Sequence, residues 1–285
     1  METLFRFFLV VFLLFPFFVL IYLFPSWSLP ETEEFLWAAK NTFCQAGLSA
    51  LISIVLGFWL ALGLLFLSHN FPTLRRLADV LCLAPSFLPP IFVLLAVLNL
   101  VDPFPTGLAG IVLIHVWINS GFMAVMIAAV IELRAGRFME IAWVLGASRW
   151  RILFDILIPL IRRDLMLLFA FVFALCFSSF AIPLVVGGGK GTTLEVLIYE
   201  KIRISYDWGP ALSIAVFQSL FVLLVGGLSS MGRGWTAGRG GDCAEIVSSP
   251  LAALVILSLG AALLWGWLEG IFLGAAQWKD LVEFR

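Results

Sequence analysis

Residues 132–163 read ELRAGRFMEIAWVLGASRWRILFDILIPLIRR. Helical spacing across Glu140 to Leu145 puts Ile141, Val144 and Leu145 on one face of a short helix. Gly146 is a natural stop for it, because glycine enters the left-handed conformation at little cost. Ser148 is suited to cap the next helix. That helix carries Ile152, Leu153, Ile156 and Leu157 at helical spacing until Pro159 interrupts it. The stretch therefore predicts two short amphipathic helices joined at Gly146, a shape suited to docking in a groove of another protein.

The surroundings are those of a membrane protein. The chain has 285 residues, 62% of them hydrophobic and only 12% charged. A soluble domain carries about twice that charge. Mean hydropathy is +1.11. Apolar runs long enough to cross a hydrocarbon core of about 30 Å recur along the chain. Helices are expected, because backbone groups in lipid must be satisfied within the segment. The runs are continuous rather than alternating, which excludes a β-barrel pattern. The fold class is thus an all-α membrane protein of about seven transmembrane helices. The expected spans are 5–24, 42–67, 80–101, 107–131, 164–186, 209–231 and 250–268. No small-x-small site follows the first run, so it reads as a retained helix rather than a signal peptide.

Charge orients these spans. With a cytoplasmic N-terminus, the inner side holds Arg6, Arg75, Arg76, Arg134, Arg137, Arg149, Arg151, Arg162, Arg163, Arg233 and Arg239, 11 of the 17 basic residues. Arg134, Arg137, Arg149, Arg151, Arg162 and Arg163 all fall in the quoted stretch, which places it in the cytoplasm. Glu31, Glu33 and Glu34 suit the outer side. A net charge of −1 offers no basic face for nucleic acid. The cysteines (Cys44, Cys82, Cys176 and Cys243) are scattered without a CxxC pair, so no metal site is expected.

The stretch resembles the cytoplasmic "EAA" loop of the binding-protein-dependent ABC importer permeases, whose pattern is E-A-A, three residues, G, about nine residues, then I-x-L-P. Here Glu140, Ala142, Gly146, Ile156 and Pro159 match in register, with Ala147 following the glycine. Ile141 and Ile158 depart from the pattern but keep its apolar character. The resemblance extends over roughly residues 40–230. Asn41-Thr42 resembles the "NT" that opens the permease core. GLAGIVLIHVWINSG at 107–121, Ser179-Phe180, Gly187 to Gly189, Thr192 to Glu195 and Ile198-Tyr199 are similar to the thiamine and ferric-iron importer permeases.

The resemblance implies a six-helix permease core of the MetI-like type over 41–231, preceded by a first helix and extracytoplasmic segment (1–40). A linker, a seventh helix and a tail follow (232–285). It further implies ATPase coupling through Glu140, Ala142, Gly146, Ala147, Ile156 and Pro159, with ATP bound by a partner subunit and no cofactor on this chain. The implied partners are ABC ATPase subunits, an extracytoplasmic solute-binding protein, membrane lipid and a second permease half, either another copy or a paralogue. The implied location is the bacterial cytoplasmic (inner) membrane. Related permeases commonly hold two halves in one chain, and the seventh helix resembles the start of a second. Thiamine or ferric iron is the implied solute; polyamine, sulfate and other small solutes are the alternatives.

Polar residues inside spans mark a candidate pathway. His115 and Asn119 lie four apart on one helix face. Ser178 and Ser179 lie mid-span near Pro183, and Gln218 lies in the sixth span. Trp59 and Trp117 are available to an aromatic solute. Pro85, Pro89 and Pro90 break the ladder of the third span. The run from Gly187 to Thr193 is superficially similar to a phosphate loop, but Gly191 follows Lys190 where Ser or Thr is required. It reads instead as an extracytoplasmic loop that lets a binding protein approach closely. Two other classes compete: an intramembrane enzyme using His115 and Ser178, and a non-transporting scaffold. No catalytic residue is assigned.

Overall fold

The computed structural model describes residues 28–101, 103–230 and 244–283, together with the helical positions Phe8, Val11, Phe12, Phe15, Phe18, Val19 and Tyr22. Most of the expected first span and the linker at 232–242 lie outside the described residues. Among the described residues every regular element is helical: α1 (Thr32–Asn70), α2 (Pro72–Phe87), α3 (Pro90–Leu100), α4 (Leu108–Val130), α5 (Gly136–Val144), α6 (Arg149–Arg151), α7 (Ile158–Phe177), α8 (Ala181–Val186), α9 (Leu194–Arg203), α10 (Trp208–Ser230), α11 (Ala244–Val247) and α12 (Pro250–Glu283). Two π-helical segments, Ile131–Ala135 and Ile152–Leu157, join α4 to α5 and α6 to α7.

Among the described residues, three helices are long and apolar enough to cross a membrane: Thr32–Asn70, Leu108–Val144 and Trp208–Gly227. The pair α2 and α3, bent by 108°, makes a fourth crossing if counted as one span. Pro250–Gly266, at the start of α12, is a shorter apolar helix. Helix α7 is less apolar at its start, where Arg162, Arg163 and Asp164 fall in its first turns.

α1 is the spine. Its 39 residues reach about 58 Å at 1.5 Å per residue, well beyond the hydrocarbon thickness. Small residues let its neighbours come close, the usual means of helix association in lipid. A Cβ on Gly57 would lie 2.4 Å from Met123 Cβ and 3.1 Å from Ser120 O, so α1 and α4 touch nearly backbone to backbone. Gly121 brings α4 against the Cys82 carbonyl of α2 in the same way. Phe43, Phe177 and Phe221 join α1, α7 and α10 in an aromatic cluster with ring centroids 4.8 to 5.1 Å apart.

Several expected boundaries change. The prolines do break the third span, at Leu88-Pro89, whereas Pro85 sits inside an unbroken α2. The expected connection at 68–79 is largely the start of α2, and the connection at 187–208 contains α9. The expected span 164–186 is interrupted: α7 ends at Phe177 and α8 resumes at Ala181. The seventh helix packs on the core. A Cβ on Gly63 would meet Ala253 N at 2.5 Å, and one on Gly266 would meet Ala96 O at 2.7 Å. Ser249 N also donates to Leu62 O at 3.0 Å.

Candidate functional site

The helix entering the expected cytoplasmic turn starts at Gly136, four residues before the predicted Glu140. It ends as glycine chemistry dictates. Gly146 has φ +85°, Ala147 N donates to Ala142 O at 3.0 Å, and Gly146 N donates to Trp143 O at 2.9 Å. These two bonds form a Schellman motif and satisfy carbonyls that the helix end would leave bare. Ser148 caps the next helix, its Oγ accepting from Arg151 N at 3.4 Å. Across the turn the Arg149 guanidinium lies 5.9 Å from the centroid of the Trp143 ring.

Pro159 does not interrupt the second helix. The backbone widens into π register over Ile152–Leu157, where Ile158 N donates to Leu153 O. A proline removes one N–H and crowds the preceding turn; the wider π turn accommodates both defects. Pro159 then sits in the first turn of α7, where a missing N–H costs little. The predicted loop at 132–163 is thus a nearly continuous helical hairpin, broken only at its tip.

The hairpin has an inner and an outer face. Met139, Ala142, Ile152 and Leu157 are buried, with Leu153 and Ile156 packed against them. Ile141, Val144 and Leu145, the predicted apolar face, point away from this core: Val144 is 84% exposed and Leu145 81%. Trp150 and Phe154 add a stacked pair of exposed rings 5.9 Å apart. Large apolar side chains gathered at one exposed tip signal a contact site. Glu140 is half-buried and Pro159 exposed.

Ion pairs brace the base of the hairpin. Arg134 reaches Asp164 at 3.2 Å. Arg75 contacts Asp79 at 2.8 Å and Glu132 at 3.3 Å, and donates to Leu64 O at 2.9 Å. The last turns of α1, the start of α2, the π-helical segment after α4 and the start of α7 therefore sit together.

The interrupted α7 explains one predicted pathway residue. Ending a helix among packed helices frees carbonyls that need partners. Cys176 O accepts from Gln45 Nε2 at 2.7 Å, and Phe177 O from Gln218 Nε2 at 3.4 Å. Gln218 Nε2 also donates to Glu195 Oε1 at 2.8 Å. Burial pushes the Glu195 carboxyl above its ordinary range, with the Gln218 hydrogen bond opposing that shift. Asn41 and Thr42 fasten the same region: Asn41 Nδ2 donates to Thr192 O at 3.1 Å, and Thr42 Oγ1 accepts from Leu194 N at 2.9 Å.

The other predicted pathway residues divide. His115, Asn119 and Ser179 line one cavity of about 310 Å³ together with Ser86, Cys176, Phe122 and Phe171. Ser178 is exposed and is not among the lining residues. Gln218 sits at the helix break, bonded to Phe177 O and Glu195. Trp117 lines a separate cavity and Trp59 packs on the core. Sequence reading missed the buried stripe Thr42, Gln45, Ser49 and Ser53 on α1, although polar residues at helical spacing within an apolar span were its visible signal. Among the described residues no group of three or more His, Cys, Asp or Glu side chains could hold a metal ion.

Known proteins share this architecture. Residues 53–272 match the family described as binding-protein-dependent transport system inner membrane component. The thiamine transport system permease protein ThiP of Escherichia coli (strain K12) is 31% identical over 221 residues, 70% of this chain and 40% of that protein. The sulfoquinovosyl glycerol transport system permease protein SmoG of Agrobacterium fabrum is 33% identical over 115 residues, 38% of this chain and 37% of that protein. A crystal structure of a bacterial alginate ABC transporter, in complex with alginate pentasaccharide-bound periplasmic protein, superposes with a TM-score of 0.64. That match covers 82% of this chain and 92% of the other at 19% identity, which carries the fold alone. The chain thus spans about 40% of the length of the thiamine permease it matches. On the family match and the shared helical core, the chain belongs to the inner membrane components of binding-protein-dependent transport systems.

Proposed function

We propose that this chain forms half of the membrane pathway of an ATP-driven importer. A separate ATPase docks on the hairpin tip, an extracytoplasmic binding protein delivers solute at the opposite end, and a second permease half completes the pathway. The observation that carries this reading is the exposed apolar tip at Val144, Leu145, Trp150 and Phe154, held rigid by the Gly146 turn and seated through Met139 and Ala142. A rigid knob on two helices that run on into the membrane transmits a push without dissipating it in loop motion. Ala142, Ala147 and Ile156 seat the hairpin. Glu140 and Pro159 flank it, and Gly146 sets its angle. The N-terminus lies in the cytoplasm under the charge asymmetry. Thiamine is the favoured solute, on the thiamine transport permease that matches 70% of this chain.

The test uses the chain with its ATPase and binding protein in proteoliposomes. Gly146→Asn keeps a residue tolerant of positive φ, whereas Gly146→Val does not. Since open space surrounds the position, any loss in Gly146→Val reflects backbone angle rather than collision. Expected is thiamine uptake and stimulated ATP hydrolysis in wild type and Gly146→Asn, with both lost in a membrane-inserted Gly146→Val. Normal uptake in Gly146→Val refutes the coupling role.

A further inference from the structure

The cavity beside α4 contains an unsatisfied group. His115 is 3% exposed, yet neither ring nitrogen has a hydrogen-bond partner. A buried polar side chain without partners costs stability unless something else occupies the site. In its neutral form an imidazole offers one donor and one acceptor on a rigid ring. Asn119, one turn along, is 6% exposed. Its amide nitrogen is engaged by His115 O at 2.8 Å and Cys176 Sγ at 3.5 Å, which leaves the amide oxygen as a further acceptor. Ser86 adds little, because its hydroxyl already donates to Ile118 O at 2.9 Å.

The remaining wall is apolar and aromatic. Phe122 and Phe171 form a tilted pair 5.7 Å apart, and among the described residues no charged side chain lines the cavity. Its volume of about 310 Å³ falls at the small end of ligand sites, roughly 300 to 1,000 Å³. A saccharide would strand most of its hydroxyls against phenylalanine and isoleucine. A flat heterocycle buries a face on such a wall and needs only a few hydrogen bonds at its edge.

We propose that this cavity binds a flat heteroaromatic ring, with His115 and Asn119 pairing to the polar edge and Phe122 and Phe171 covering a face. The proposal deepens the transport reading and rests on it, since it assigns the chemical class of solute that this half of the pathway selects. His115 and Asn119 set specificity; they take no part in ATPase coupling.

The experiment uses the assembled transporter in nanodiscs, with Cys44, Cys82, Cys176 and Cys243 replaced by alanine and Ser179→Cys as reporter. Alkylation of residue 179 is timed with thiamine, with its aminopyrimidine ring alone and with maltose. Expected is slowing by thiamine and by the aminopyrimidine, none by maltose, and an apparent affinity for the ring about tenfold weaker in His115→Phe, the size of one lost hydrogen bond. His115→Gln restores part of it. Membrane insertion of His115→Phe and its co-purification with the ATPase subunit verify that the variant is folded and assembled. Equal protection by maltose, no protection by either ring, or unchanged affinity in His115→Phe overturns the site. A wild type that fails to accumulate thiamine refutes thiamine as solute, whereas protection of residue 179 by the aminopyrimidine still decides the site.

Discussion

Arg134 and Asp164 meet at 3.2 Å between the helix that enters the Gly146 hairpin and the helix that leaves it. The Asp164 side chain is only 2% exposed, and its Oδ2 has no hydrogen-bond partner. The pair therefore holds a buried carboxylate at the root of the hairpin.

Removing one member of such a pair is worse than removing both. Arg134→Met is expected to leave Asp164 uncompensated and to cost about 3 kcal/mol. The double change Arg134→Met with Asp164→Leu is expected to recover most of that loss. Thermal unfolding in nanodiscs measures both. A double variant no more stable than Arg134→Met contradicts the assignment.

Glu195 gives a prediction in pH. Its carboxyl is pushed up by burial, so the folded state holds the proton more tightly than the unfolded state. The sign follows: folding is helped at low pH, and that help is lost as pH rises through the raised value. Glu195→Gln can still accept from Gln218 and has no charge to bury. Its melting temperature should exceed wild type by a margin that grows as pH moves from about 4 to neutrality, reversing the usual carboxylate trend. A margin independent of pH argues against a desolvated carboxyl.

Gly63 tests whether the seventh helix is part of this half. A Cβ there meets Ala252 and Ala253 within 2.8 Å, two contacts of which are backbone. Gly63→Val should push α1 and α12 apart and cost about 1 to 3 kcal/mol. Gly47→Val, at a position in α1 with open space around it, is the control and should stay near the propensity difference of a few tenths. Equal effects at both positions refute the close packing.

Much of the hairpin was legible. Gly146 and Ser148 act through local backbone chemistry, and both were identified from residue type and spacing. His115 and Asn119 share a face because i and i+4 always do in a helix, and Asn119 Nδ2 donates to His115 O. The break after Phe177 was not legible. No glycine or proline marks it, and its freed carbonyls are satisfied by Gln45 and Gln218, far away in sequence. Pro159 misled for the opposite reason: a local helix breaker was absorbed by a change to π register. The bond from Gln218 to Phe177 O was likewise not legible, because an intramembrane amide has the same sequence signature whether it faces solute or a bare carbonyl.

Crosslinking decides whether the ATPase docks on the exposed tip. Leu145→Cys places a thiol at a position 81% exposed on the tip, and Ile204→Cys places one at 67% exposed at the opposite end of the bundle. Membranes containing the whole transporter are treated with a short bifunctional thiol reagent, with and without ATP. Expected is a Leu145→Cys adduct with the ATPase subunit whose yield changes with ATP, and none from Ile204→Cys. An ATPase adduct from Ile204→Cys with none from Leu145→Cys would contradict it.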